Sequence, residues 1–255
     1  MRLGYTAAQI RAAEAPFLER GVPLMQRASE ALAEHVTSLL PVPREARILV
    51  LAGAGDNGGD ALHAAALIRA SGATVEIAPA MGPLHDAGAA AALDAGAMIV
   101  AVPEPGAPAV PALVAESITA YDVVVDGILG IGSGGIAAGG TPALRGAPRE
   151  LVRTIRAAID SASGGTPLVV AVDIPSGIDP DDGGVPDPDS VLRAHLTVTF
   201  IGIKAGLLLD PAAGFAGKVW LEPIGAGQAL LGVTPAVQIA GRPTVDGASS
   251  RPAGL

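Results

Sequence analysis

Gly53-Ala54-Gly55-Asp56-Asn57-Gly58-Gly59-Asp60 is the stretch on which the reading of this chain turns. The apolar run before it, Ile48 to Ala52, reads as a buried strand, and Ala61 to Ala70 carries apolar residues at helical spacing. Strand, glycine loop and helix start in that order make an anion site. Backbone N–H groups of the first helical turn are unpaired, and the helix dipole adds partial positive charge there. Glycines let a phosphate approach the backbone. The plainer reading is a tight βα turn without a ligand, since glycine-rich βα turns are common in α/β folds.

Outward from this loop the alternation continues. Thr6 with Gln9 forms a capping box for a helix bearing Ile10, Ala13 and Phe17, and Pro23 opens a second helix that runs to Leu40. Strands are predicted at Thr74 to Ala78, Met98 to Val102, Val123 to Val125 ending on Asp126, Leu168 to Val172 ending on Asp173, Leu196 to Phe200, and Lys218 to Glu222 at an edge. Helices are predicted at Leu84 to Ala95, Pro108 to Thr119 and Arg149 to Ile159, with a long glycine-rich loop from Gly127 to Gly140. Short apolar strands alternating with helices give an α/β fold: a three-layer αβα sandwich around a mostly parallel sheet. The domain is expected to span residues 1–225, and the Gly/Pro-rich residues 226–255 to form a flexible tail or linker.

Composition narrows the function classes. In 255 residues half are hydrophobic and only 2% aromatic, so the core must be built from Ala, Val, Leu and Ile. A formal charge of −9 without any Lys/Arg run argues against a nucleic-acid surface. The absence of cysteine excludes disulfides, thiol catalysis and thiolate metal sites. With no apolar run of membrane-spanning length and no signal-peptide core at Met1 to Tyr5, no membrane partner is expected and the cytoplasm is the default location.

In an open parallel sheet ligands bind outside the carboxyl ends of the strands. Three predicted strands end in polar loops: Gly55 to Asp60, Asp126 to Gly135, and Asp173-Ile174-Pro175-Ser176-Gly177. Two acids at strand ends beside an Asn and a Ser make an oxygen-rich cluster, suited to a hard cation or to hydroxyl groups. Taken singly, each Asp is equally a turn or helix cap. Gly53 to Gly58 also matches the G-x-G-x-x-G dinucleotide fingerprint, but the second strand ends on Ala78 and Pro79 where a ribose-binding acid is required. The ordinary dehydrogenase reading is therefore weak.

Asn57-Gly58-Gly59-Asp60, Val125-Asp126, Val172-Asp173-Ile174-Pro175-Ser176-Gly177, and Thr197 to Phe200 with Lys204 and Gly206 resemble the NAD(P)H-hydrate epimerase family, the YjeF N-terminal-type domain. The resemblance runs from about Tyr5 to Gly225 and includes Met25 and Arg27. It implies a Rossmann-like fold that interconverts the R and S forms of hydrated NADH and NADPH (NADHX and NADPHX). It implies a potassium ion held by Asn57, Asp126 and Ser176, one per subunit. It also implies substrate contacts from Asp56, Asn57, Gly58, Gly59, Asp60, from Gly130, Ile131, Gly132, Ser133, Gly134, Gly135 and Ile136, and from Asp173. The functional partner implied is an ADP- or ATP-dependent NAD(P)H-hydrate dehydratase, with a homodimer as the assembly to test. Asp173 is the candidate catalytic carboxylate, and Lys204 the candidate proton donor or water holder. Asp56, Ala61 and Ile131 stand where the family more often has Asn, Gly and Thr, and Gln26 and Ser29 where it has Glu and Gly. A non-catalytic nucleotide-binding or scaffold module of the same fold is the alternative.

Overall fold

A computed structural model of the chain describes residues 1–100, 118–132 and 141–240. An extended strand, β1 (Arg2–Tyr5), leads into α1 (Ala7–Glu19) through the expected capping box. Thr6 Oγ1 accepts from the Gln9 N–H at 3.2 Å, and Gln9 Oε1 accepts from the Thr6 N–H at 2.9 Å. After Pro23, α2 (Leu24–Ser38) buries Leu24, Ala28, Leu32, Ala33 and Val36 along one stripe. Then follow β2 (Arg47–Ala52), α3 (Asp56–Ala70), β3 (Thr74–Pro79), α4 (Asp86–Asp94) and β4 (Met98–Ile99). The later elements are β5 (Val123–Gly127), α5 (Gly146–Ser161), β6 (Leu168–Val172), β7 (Leu196–Phe200), β8 (Ile203–Lys204), β9 (Lys218–Glu222) and β10 (Val237–Ile239). Of the helix expected at 108–119, residues 108–117 lie outside the described residues, as do 101 and 102 of the strand expected over 98–102.

Seven strands pair in the order β4-β3-β2-β5-β6-β7-β9, every neighbouring pair parallel. Successive strand residues point to opposite faces. Ile48, Val50, Val123, Val125, Val170 and Val198 therefore face α1, α2 and α3 in one core. Leu49, Leu51, Val124, Val169 and Ala171 face Leu151, Val152 and Ile155 of α5 in the other. The result is the three-layer, Rossmann-like sandwich. Its chain runs outward from β2 through β3 to β4, then returns to β5 on the other side of β2. That reversal leaves a crevice at the carboxyl ends of β2 and β5, the usual ligand position in such sheets.

Two expectations are corrected. The first concerns where α3 begins. Asn57 to Asp60 are not loop but lie within the helix, with Gly55 as N-cap. Two adjacent glycines cost a helix about 1 kcal/mol each relative to alanine, which is why they read as loop. Packing excludes a side chain at 58, where a Cβ would lie 2.0 Å from the Gly53 carbonyl oxygen, and crowds one at 59, where a Cβ would lie 3.0 Å from Met25 Cε and 3.1 Å from the His85 ring. The second concerns the boundary at 225. Ala226 and Leu230 are buried in the core, and β10 pairs antiparallel with β1 in a small sheet ordered β10-β1-β8. A three-residue strand among prolines and glycines has no period long enough to register in sequence. Residues 241–255 lie outside the described residues.

Candidate functional site

Three loops close the crevice. Past β2, the Gly53 N–H donates to the Gly127 carbonyl at 3.0 Å, and a Cβ on Gly53 would sit 1.9 Å from the Ile128 carbonyl oxygen. The loop after β5 is thus pressed against the loop after β2. Gly55 caps α3 without a side chain, and the first internal bond is Gly59 N–H to the Gly55 carbonyl at 3.0 Å. The N–H groups of Asp56, Asn57 and Gly58 precede that bond and are left for an anion. Asp56, the first helical residue, is exposed, where its charge favours the helix dipole and opposes a nearby phosphate.

Asn57, Asp126 and Ser176 meet in one hydrogen-bonded cluster. Asn57 Nδ2 donates to the Val172 carbonyl at 2.6 Å and the Leu129 carbonyl at 3.2 Å. Ser176 donates to Asp126 twice, through Oγ at 2.6 Å and through its backbone N–H at 2.9 Å, while Ser176 Oγ accepts from the Leu129 N–H at 2.9 Å. Asp126 is only 1% exposed. Burial pushes its carboxyl pKa up, and the hydrogen bonds from Ser176 and Ile128 oppose that rise. Among the described residues no cationic side chain lies within ion-pair distance of it. A Cβ on Gly130 would fall 2.2 Å from Asn57 Oδ1, so only glycine lets this loop lie over the cluster.

Asp173 follows β6 with φ +65°, a left-handed conformation that Asp and Asn tolerate better than other side chains. Its N–H donates to the Val198 carbonyl at 2.7 Å. Oδ1 accepts from Lys204 Nζ, from Thr199 Oγ1 at 3.2 Å and from the Phe200 N–H at 3.2 Å. Lys204 also donates to Thr199 Oγ1 at 3.2 Å and to the Phe200 carbonyl at 3.0 Å. All three ammonium protons are therefore matched to protein acceptors, and the side chain is 1% exposed. Lys204 is built to hold Asp173, with no N–H left for a ligand.

Two further residues at the crevice, Arg11 and Glu14, gave no sign in the sequence. On α1, Arg11 Nη1 donates to the Ile131 carbonyl at 2.7 Å and fixes the loop that carries Gly130, Ile131 and Gly132. Glu14, one turn further, turns to the same side. Burial pushes its carboxyl pKa up, as do Asp56 and Asp173, against the opposing charges of Lys204 and Arg11. Asp60 is raised well above the usual carboxylate range, first by burial and then by Asp173, Asp56 and Glu14. An amphipathic helix such as α1 reveals its packing stripe in sequence, but which polar residue reaches a distant loop is a tertiary fact. Ser133, Gly134, Gly135 and Ile136 lie outside the described residues. His85 caps α4 by accepting from the Gly88 N–H at 3.1 Å, and His195 accepts from the Val169 N–H at 2.9 Å; both are structural.

Residues 21–206 match the family model described as YjeF-related protein N-terminus. The chain belongs to this family. Among curated YjeF-related proteins it is 45% identical over 237 residues to the NAD(P)H-hydrate epimerase of Clavibacter michiganensis subsp. michiganensis, covering 93% of this chain and 96% of that protein. It is 41% identical over 237 residues to the protein of the same name from Microbacterium testaceum, covering 92% of this chain and 84% of that one. A bifunctional NAD(P)H-hydrate repair enzyme Nnr of Pyrobaculum aerophilum matches at 37% over 210 residues, which are 80% of this chain and 38% of that protein. The crystal structure of yeast ynu0, YNL200c, shares the fold at a TM-score of 0.62 and 17% identity, covering 80% of this chain and 82% of that one.

Proposed function

We propose that this protein is an NAD(P)H-hydrate epimerase, an isomerase that interconverts the R and S forms of NADHX and NADPHX. The observation that carries the reading is identity of 41–45% to proteins of that name over more than nine-tenths of the chain. The described crevice supplies chemistry to match. The hydrated ring carbon bears a hydroxyl next to a ring nitrogen; losing it as water gives an iminium cation, and water returning to the other face inverts the centre. Asp173 presents a fixed carboxylate to that cation, with Oδ2 free of protein hydrogen bonds among the described residues and Oδ1 tied down by Lys204, Thr199 and Phe200. The N–H groups of Asp56, Asn57 and Gly58 at the start of α3 bind phosphate, and the loop at Gly130, Ile131 and Gly132 covers the ligand.

A potassium ion fits the donor set. Asn57, Asp126 and Ser176 offer amide, carboxylate and hydroxyl oxygens, and the buried Asp126 carboxylate has no cationic side chain beside it among the described residues. When bound, the ion supplies positive charge that offsets both Asp126 and the ligand phosphates. The S form would pass to an ADP- or ATP-dependent dehydratase. The bifunctional Nnr relative, of which this chain spans 38%, favours such a partner.

Adding the protein to an R/S mixture displaced from equilibrium should speed its return, followed by chiral chromatography or NMR, with no net redox change. A rate equal to the spontaneous one, from folded protein with potassium present, would leave a non-catalytic nucleotide-binding module. The ion has its own test. Asp126→Ala should weaken NADPH binding and make it indifferent to exchanging potassium for a bulky organic cation, as read by calorimetry. Equal affinity in both salts for the unmutated protein removes the ion from the site.

A further inference from the structure

The proposed reaction needs an acid to protonate the departing hydroxyl, and the geometry withholds that role from Lys204. Its three N–H groups are matched to Asp173, Thr199 and the Phe200 carbonyl in a place closed to solvent. Asp173 is the ion-paired carboxylate of that couple. The crevice must therefore draw its proton from another residue.

Asp60 opens the second turn of α3, one turn after Asp56 and on the same side of the helix. It is 8% exposed, and among the described residues its carboxyl makes no hydrogen bond and no ion pair. Its oxygens are not sealed from solvent, since the fully buried unpaired side-chain atoms among the described residues are Arg2 Nε and Arg153 Nε alone, so the carboxyl is partly desolvated, held by no protein donor, and costly to keep charged. The charges that act on it come from four elements: Asp173 at the end of β6, Asp56 on α3, Glu14 on α1 and, in the opposite sense, Lys204 in β8. Three carboxylates against one cation, in addition to burial, keep the proton on Asp60 at pH values where an ordinary carboxyl has lost it.

We infer that Asp60 is the general acid of this site. The inference rests on the epimerase reading and deepens it. Asp60 passes its proton to the hydroxyl; the C–O bond breaks, water leaves, and the ring nitrogen lone pair forms the C=N bond of the iminium. Water then adds to the opposite face, the new C–O bond forms, and the extra proton goes to Asp173 Oδ2. One proton has left Asp60 and one has reached Asp173. The reverse direction runs the same steps with the two carboxyls exchanged, and solvent resets them. Nothing is oxidised or reduced.

The test uses the whole protein with potassium and an R/S NADHX mixture displaced from equilibrium. Asp60→Asn should slow epimerisation about 100-fold or more at saturating substrate. The parent rate, corrected for the spontaneous one, should fall as pH rises above the ordinary carboxylate range, and that fall should vanish in Asp60→Asn. This readout separates an acid from a packing residue, and the parent profile serves even where the variant does not fold. The parent's Asp60 pKa is raised by folding, so its contribution to stability is lost as pH rises from the ordinary carboxylate value toward the raised one. Asp60→Asn should accordingly melt higher than the parent at alkaline pH. An active parent with an undiminished Asp60→Asn, a parent rate that does not fall with pH, or a pH limb removed by Glu14→Gln instead, overturns the assignment alone. A parent that does not epimerise overturns the function and the acid together.

Discussion

Lys204→Met should cost the fold about 3–5 kcal/mol and abolish epimerisation. The substitution keeps the length and apolar body of the side chain but leaves the buried Asp173 carboxylate without its counter-charge. The hydrogen bonds from Thr199 and the Phe200 N–H remain, yet two neutral donors do not replace an ammonium in a place this dry. The double variant Lys204→Met with Asp173→Asn removes both charges, and asparagine accepts the φ of +65° at that position. It should regain most of the lost stability, because a buried ion pair as a whole contributes little net free energy. Activity should stay lost, since the carboxylate that faces the iminium is gone. Chemical denaturation of the four proteins closes the cycle. A single-variant loss below about 1 kcal/mol would mean that Asp173 is solvated or neutral in the fold, and the pair would then not be what holds the site.

Much of this arrangement was legible in the sequence, for a physical reason. A parallel strand buried on both faces must be a short apolar run, so Ile48 to Ala52, Val123 to Val125 and Leu168 to Val172 stood out, and the polar loop following each fell at one edge of the sheet. The structure brings Asn57, Asp126 and Ser176 into one cluster and sets Asp173 beside Lys204. The start of α3 was hidden because helix propensity argues against Gly58-Gly59, while packing, absent from propensity, requires glycine at 58 against the Gly53 backbone and leaves little room at 59 beside the Met25 and His85 side chains. Arg11 and Glu14 were hidden because only a folded chain carries α1 to the loop after β5. The pairing of Lys204 with Asp173 was hidden because burial is legible in sequence but hydrogen-bond occupancy is not. The lysine's neighbourhood is apolar as expected; its protons are simply all in use.

The glycines around the loop are not equivalent, and two substitutions should show it. A Cβ at Gly58 meets the Gly53 carbonyl oxygen at 2.0 Å, and Gly53 is itself held against the Ile128 carbonyl, where its own Cβ would stand 1.9 Å away. Backbone faces backbone on both sides, so no side chain can swing aside. Gly58→Ala should therefore destabilise the protein by about 3 kcal/mol or more and shift Asn57 off the Val172 and Leu129 carbonyls. At Gly55 the backbone is extended, with φ −93° and ψ −167°, and a Cβ would meet nothing within 4 Å. Gly55→Ala should cost about 1 kcal/mol or less in stability. Its methyl group would stand at the open side of the N–H groups that start α3, where the proposed phosphate lies. Losing one charge-assisted hydrogen bond there is worth about 1.5 kcal/mol, or about tenfold in Kd. Thermal melts and NADPH titrations of both variants read the two effects separately. Parent-like affinity in Gly55→Ala would place the phosphates away from the start of α3; parent-like stability in Gly58→Ala would mean that the loop after β5 moves aside.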